Sequence, residues 1–351
     1  MYISNTSEIG NSVGATSKTV SKSIFSFIAS AVYSKGNNKN TYNYWLDSWL
    51  NYIKPNVKES TYIRYRNSIE SHIKTDLGTL KIENINSQII RDYLISKSEC
   101  GKLDCSGGLS SRTVSELLTI IKSSFKYAQS EGAKVSCSFE YISIKLEKNV
   151  IRILSMEEEK RLMSVLTNDM DRFKLGIIIC LYTGIRIGEL CALRWENVFL
   201  NEKKLYITNT MQRLQTGNES GKKTKIQITE PKSRCSIRTI PITDTLFNYL
   251  ATFKDSPSAF VLSGQENKLV EPRTMQNHFK RYLSDAQIKN INFHALRHTF
   301  ATRCIESGFD AEVLSEILGH SSVSLTLDRY VHSSFEHKIN NMKKFENSMH
   351  F

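Results

Sequence analysis

Residues 183–190 read Thr-Gly-Ile-Arg-Ile-Gly-Glu-Leu and follow a strongly apolar run from Phe173 to Tyr182. The run predicts a buried helix that stops at Thr183-Gly184, because glycine permits a tight reversal closed to other residues. Arg186 then stands at the start of the next helix, facing the turn. Two readings remain open at this point: an arginine aimed at a ligand, or one paired with Glu189 three residues on. Upstream, Ser155 and Glu158 form a capping box that opens a helix and marks the start of a second domain. Downstream, Lys204 to Thr210, Lys225 to Thr229 and Arg238 to Ile242 alternate as strands of a small antiparallel sheet. The remainder is helical, broken at Gly308 and Gly319.

Four further segments join polar chemistry to a turn or helix start. Pro231-Lys232-Ser233 falls at a turn between two strands, where a solvated lysine is the plain alternative. In His294-Ala295-Leu296-Arg297-His298, His294 and Arg297 share a helix face by their spacing, with His298 close by. Histidines four apart also match a metal site. The glutamate of the zinc-protease motif is absent, however, and Arg297 repels a cation, so no metal is expected. Leu318-Gly319-His320-Ser321 sets a histidine just after a helix break. Asp328-Arg329-Tyr330-Val331-His332 carries a tyrosine on a short helix, where half-buried packing is the ordinary role.

Taken in order, Arg186, Lys232, His294 with Arg297, His320 and Tyr330 resemble the tyrosine recombinase family, also called phage integrases. The matching stretches are 183–190, 231–241, 294–302, 318–322 and 328–332, and they span most of 151–351. The resemblance implies a DNA recombinase that cuts and rejoins strands through a 3′-phosphotyrosine, with Tyr330 as nucleophile. Arg186 and Arg297 would fork onto the phosphate oxygens, and His320 would add a donor. His294 would serve as base and Lys232 as general acid to the leaving 5′ oxygen. Neither ATP, a metal nor another cofactor is implied. The implied fold is mainly α with a small antiparallel β-sheet: a helical core-binding domain and a mixed α+β catalytic domain, closing on double-stranded DNA as a C-shaped clamp. A homotetramer on DNA, a monomer or weak oligomer when free, and accessory bending or excision factors are the implied partners.

The first half of the chain supports a two-part organisation. Residues 1–40 are rich in Ser, Asn and Thr and read as a disordered leader. Lys18 and Lys22 precede an apolar stretch from Ile24 to Tyr33. Ala29-Ser30-Ala31 lies inside that stretch rather than after it, so the segment reads as a short helix, not a secretory signal. From Thr41 the period is helical: helices are expected to Ile53, from Lys58 to Lys74, from Ser87 to Ser96, and from Ser110 or Ser111 onward. Ser98 to Gly108 reads as a loop. The helical domain is taken as 41–145 and the catalytic domain as 146–351, with a tail at 333–351. In that tail Ile339, Met342 and Phe345 fit one helix face, docking on a neighbouring subunit or on their own domain.

Charge narrows the partner. With 47 Lys and Arg against 35 Asp and Glu in 351 residues, the net charge is +12. Lys203 to Arg238 alone holds nine basic residues against two acidic ones, so the excess is local rather than a coat or a tail. From charge alone such a run reads first as a solvated hairpin; with the resemblance, the segment is expected to lie against the DNA backbone at the cleavage site and to bind with salt sensitivity. Lys222, Lys223, Lys225 and Arg234 there, and Lys58, Arg64, Arg66, Arg112, Lys122 and Lys126 in the helical domain, are candidate phosphate contacts. Ser111 and Thr113 lie at a helix start that can bind phosphate. Seven cysteines without a Cys-x-x-Cys pair suit free thiols in a reducing cytoplasm. No apolar run is long enough to span a membrane. The reading is therefore a recombinase of a phage or integrative element. A dimer resolvase or type IB topoisomerase-like enzyme, and a non-catalytic DNA-binding protein of the same fold, are the alternatives.

Overall fold

The structure, a computed structural model, describes residues 40–104, 106–146, 152–215, 224–230, 234–330, 339, 342–343, 345–347 and 349. The expected leader and most of the expected tail lie outside the described residues. The chain divides into two compact units between residues 149 and 150.

The first unit is a helical bundle of α1 (Tyr42–Ile53), α2 (Glu59–Ser68), α3 (Lys74–Leu77), α4 (Ser87–Cys100) and α5 (Ser111–Ser130). Helix α1 buries Tyr42, Leu46, Trp49 and Leu50 on one stripe, the i, i+4, i+7, i+8 spacing of an amphipathic helix. Pro55 follows immediately, in a 3-10 turn. The helix expected to end at Lys74 continues to Leu77, because a π turn over Ile69–Ile73 carries α2 into α3. Helix α4 is capped by Asn86, whose side chain accepts from Gln88 and Ile89 N–H at 3.0 Å each. It also runs past Ser96 to Cys100, so the expected loop begins at Gly101. Helix α5 starts at the expected serine pair, with Ser110 accepting from Thr113 N–H at 3.2 Å, and its inward face carries Val114, Leu117, Leu118, Ile121 and Phe125.

The second unit holds α6 (Met156–Thr167), α7 (Arg172–Thr183), α8 (Ile187–Ala192), β1 (Val198–Phe199), β2 (Lys204–Ile207), β3 (Thr210–Gln215), β4 (Thr224–Thr229), β5 (Arg238–Pro241), α9 (Asp244–Ala251), α10 (Pro272–Asp285), α11 (Ala295–Glu306), α12 (Ala311–Leu318) and α13 (Val323–Tyr330). The capping box of Ser155 and Glu158 starts α6. Helix α7 is buried along Leu175 to Cys180, as an apolar helix with no polar face must be. The strands form two sheets rather than one: an antiparallel β1-β2-β5 sheet and a separate β3-β4 hairpin. The expected strand from Lys204 to Thr210 breaks after Ile207, and Thr210 opens the hairpin. In β5, Arg238 and Ile240 face inward while Thr239 and Pro241 face out. Among the described residues no helix is long and apolar enough to cross a membrane.

Candidate active site

Two left-handed glycines set the geometry. Gly184 ends α7 with φ 63°, and an added Cβ would lie 2.5 Å from the Phe300 ring. Gly319 ends α12 with φ 65°, where a Cβ would crowd Arg238 and the Cys235 carbonyl at 3.0 Å. Both turns require a residue without a side chain, for conformation and for space.

The arginines converge on these turns. Arg186 opens α8, and its backbone N–H donates to Glu189 Oε2 at 2.9 Å. Its guanidinium pairs with Glu189 Oε1 at 2.8 Å and donates to the Gly319 carbonyl at 3.1 Å. Arg186 therefore takes the pairing with Glu189, and its side chain stays 36% exposed. Arg297, on α11, is buried at 2% exposure and donates to the carbonyls of Gly184 at 2.9 Å and Leu318 at 2.7 Å. Gly184 thus supplies the bend that presents Arg186 and the acceptor that orients Arg297.

His320 follows directly. Its Nδ1 lies 2.8 Å from Thr326 Oγ1 on α13, and Thr326 is fully buried. That contact fixes the ring relative to the helix that carries Tyr330. His294 and Arg297 do not share one environment, although their spacing puts them on one helix face. His294 is the exposed N-cap of α11, whereas Arg297 is enclosed. His298 is buried beneath, its ring edge-on to His294 with centroids 4.6 Å apart.

Glu189 is 3% exposed. Burial pushes its pKa up, but hydrogen bonds and charge from Arg238, followed by the charge of Arg186, outweigh this and hold it below the usual glutamate value. Arg238 is the residue that sequence reading missed, having entered as one charge of a basic run and the first residue of a strand, with no role at the site. Its signal was an arginine sharing the inward face of a strand with Ile240. The buried thiols are no rival nucleophiles: desolvation pushes Cys180 up, and Cys191 and Cys304 to about 12.

Lys222, Lys223 and Lys232 lie outside the described residues, as do the side chains of Arg234 and Tyr330. Lys225 is exposed on β4. In the first unit Lys58 and Arg112 are exposed at the starts of α2 and α5, and Lys126 is exposed further along α5. Arg64 pairs with Glu116 at 3.3 Å. Arg66 is half-buried, and Lys122 is turned inward onto the Ile142 carbonyl at 3.1 Å. Ser111 and Thr113 are half-buried in the first turn of α5, where the Thr113 hydroxyl lies 2.8 Å from that of the Ser110 cap. No cluster of metal-ligating side chains occurs among the described residues.

This constellation lies within residues 152–337, which match the phage integrase family. The chain belongs to that family. Residues 41–97 of this integrase match the family's N-terminal SAM-like domain. It is 28% identical over 322 residues to a XerC-like tyrosine recombinase of Caldanaerobacter subterraneus subsp. tengcongensis, covering 84% of this chain and 80% of the relative. Its fold is that of the Tn1549 transposon integrase solved with transposon right end DNA (TM-score 0.71, 20% identity, 87% of this chain and 99% of that one). It is also similar to the lambda integrase tetramer solved on a Holliday junction (TM-score 0.59, 17% identity, 93% and 90% covered). The protein is a tyrosine recombinase, an enzyme that cuts and rejoins DNA in site-specific recombination.

Proposed function

We propose that this integrase moves a phage or integrative element, with Tyr330 as the nucleophile and Arg186, Lys232, His294, Arg297 and His320 as its catalytic set. The Tyr330 oxygen attacks the scissile phosphorus while its proton passes to His294. The new O–P bond replaces the bond to the 5′ oxygen, which leaves with a proton from Lys232. The 3′-phosphotyrosine conserves the bond energy, and a 5′ hydroxyl of the partner strand reverses the step. Arg186 and Arg297 offset the charge that builds on the non-bridging oxygens, in a site where fixed donors need no reorganisation; His320 adds a further donor. The observation that carries this reading is the convergence of two guanidiniums on the carbonyls of Leu318 and Gly319, immediately before His320.

Both units contact double-stranded DNA in this reading. Lys58, Arg64, Ser111, Arg112, Thr113 and Lys126 serve in the first, and Lys222, Lys223, Lys225 and Arg234 in the second. Arg66 and Lys122 are weaker candidates, since one is half-buried and the other is tied to a carbonyl. The working form is a homotetramer on DNA, acting in the cytoplasm, with accessory bending or excision factors biasing direction. The test is a nicked suicide duplex carrying the site that the protein itself selects from a random duplex pool. Wild type is expected to form a covalent adduct and Tyr330→Phe none. An adduct with Tyr330→Phe, or none with wild type, overturns the reading. Relaxation of supercoiled DNA lacking that site would favour a topoisomerase instead.

A further inference from the structure

Three consecutive carbonyls at the end of α12 each accept from a different arginine. Ile317 takes Arg238 Nε at 2.5 Å, Leu318 takes Arg297 at 2.7 Å, and Gly319 takes Arg186 at 3.1 Å. The last carbonyls of a helix lack partners within it and carry the negative end of its dipole, so cations belong there. Two of these arginines have phosphate roles in the reading above, on which this inference rests. The third is enclosed. Arg238 is 9% exposed, and its two terminal nitrogens fork onto both oxygens of Glu189, at 3.2 and 2.9 Å. One of them also donates to the Ser236 carbonyl at 3.0 Å. Glu189 in turn holds both the backbone and the guanidinium of Arg186.

Arg186 is therefore aimed by a carboxylate that is itself aimed by Arg238. We propose that Arg238 is a positioning residue for strand cleavage: through Glu189 it sets the Arg186 guanidinium, and through the Ile317 carbonyl it sets the turn bearing His320. A fork of this kind needs the planar guanidinium. Lysine, a point donor, does not reproduce it.

The test uses the full-length protein and the self-selected suicide duplex, made with either a normal scissile phosphate or a neutral methylphosphonate at that position. The methyl group removes a negative charge that the guanidiniums otherwise offset, so a defect in charge stabilisation shrinks on it. A purely structural defect does not. Arg238→Gln is expected to slow adduct formation about 100-fold at saturating DNA, the order of loss from small misplacement of a reacting group, with DNA binding unchanged. The methylphosphonate should close most of that gap, as it should for Arg186→Ala. Arg238→Lys should stay slow on the phosphate. Glu189→Gln, a near-isosteric change, should repeat the pattern and carries the test if Arg238→Gln fails to fold. Equal deficits on both duplexes, or normal cleavage by Arg238→Gln while Arg186→Ala is inactive, would overturn this inference alone. Normal cleavage by Arg186→Ala would overturn the phosphate reading beneath it as well.

Discussion

The two units bury different things. Among the described residues, the buried side chains of the first unit with polar groups include Ser124 and the tyrosines Tyr42 and Tyr93, none of them charged. Those of the second include Thr183, Glu189, Ser236, Arg238, Arg297, His298, Thr299, Ser315 and Thr326. The first unit holds together by apolar burial and keeps its charges at the surface or half-exposed. The second encloses two arginines and a glutamate, each of which costs several kcal/mol to desolvate unless its partners are complete. Arg238 and Glu189 pair with each other, Glu189 also holds Arg186, and the arginines donate to the carbonyls of Ser236 and of the turns that end α7 and α12. Among the described residues, buried, fully partnered charge thus marks the unit that matches the phage integrase family, and the helical unit lacks it.

Removing Glu189 should break this contrast most severely. Glu189→Leu leaves Arg186 and Arg238 without their shared counter-charge and should cost about 3–5 kcal/mol, read as faster hydrogen exchange in peptides of 152–330 while those of 41–146 hold. The acid response should divide the units next. Glu189 has a folded pKa below its ordinary value of 4.5, so its contribution is complete above the unfolded value and fades as pH falls through the folded one. Exchange protection of 152–330 should decline over that acid range, and the Glu189→Leu variant should lose that part of the slope. The mildest expected effect lies in the first unit. Tyr42 donates to or accepts from Ser124 at 2.7 Å, and Ser124 also bonds the Ile121 carbonyl. Tyr42→Phe should therefore cost only about 1 kcal/mol, measured as a small shift in the exchange of 41–146. A larger loss there would mean that the first unit depends on its buried polar pair as strongly as the second does on its charges.

Much of the scaffold was legible because its causes are local. The Ser155–Glu158 capping box, the Ser110 cap and the glycine stop at Gly184 each depend on residues within a few positions of one another, whereas the buried stripe of α1 runs through Tyr42, Leu46, Trp49 and Leu50 and leaves Tyr44 and Tyr52 of the expected aromatic stripe exposed. The extension of α4 and the π turn before α3 were not legible; past Ser96, α4 is tied to distant residues, with Lys97 paired to Asp76 at 3.0 Å and its carbonyl accepting from Leu109 N–H at 2.8 Å. The division of the strands into two sheets was decided by pairing across the unit, since β2 pairs with β5 and β3 with β4.

The site shows the same division. The residue types proposed for it, and their order, come from the sequence, since arginine, lysine, histidine and tyrosine in that series suit phosphate chemistry without a metal. Which arginine is exposed and which enclosed could not be read. The partners that decide it are far away in sequence: Arg238 and Glu189 are 49 residues apart, and Arg297 and Gly184 are 113 apart. By itself the sequence determined the helices, the turns and the kind of chemistry, because periodicity, capping and side-chain type are local properties. Only the tertiary structure decided how the charges are satisfied, because a buried charge is stable only where distant parts of the chain bring it complete partners.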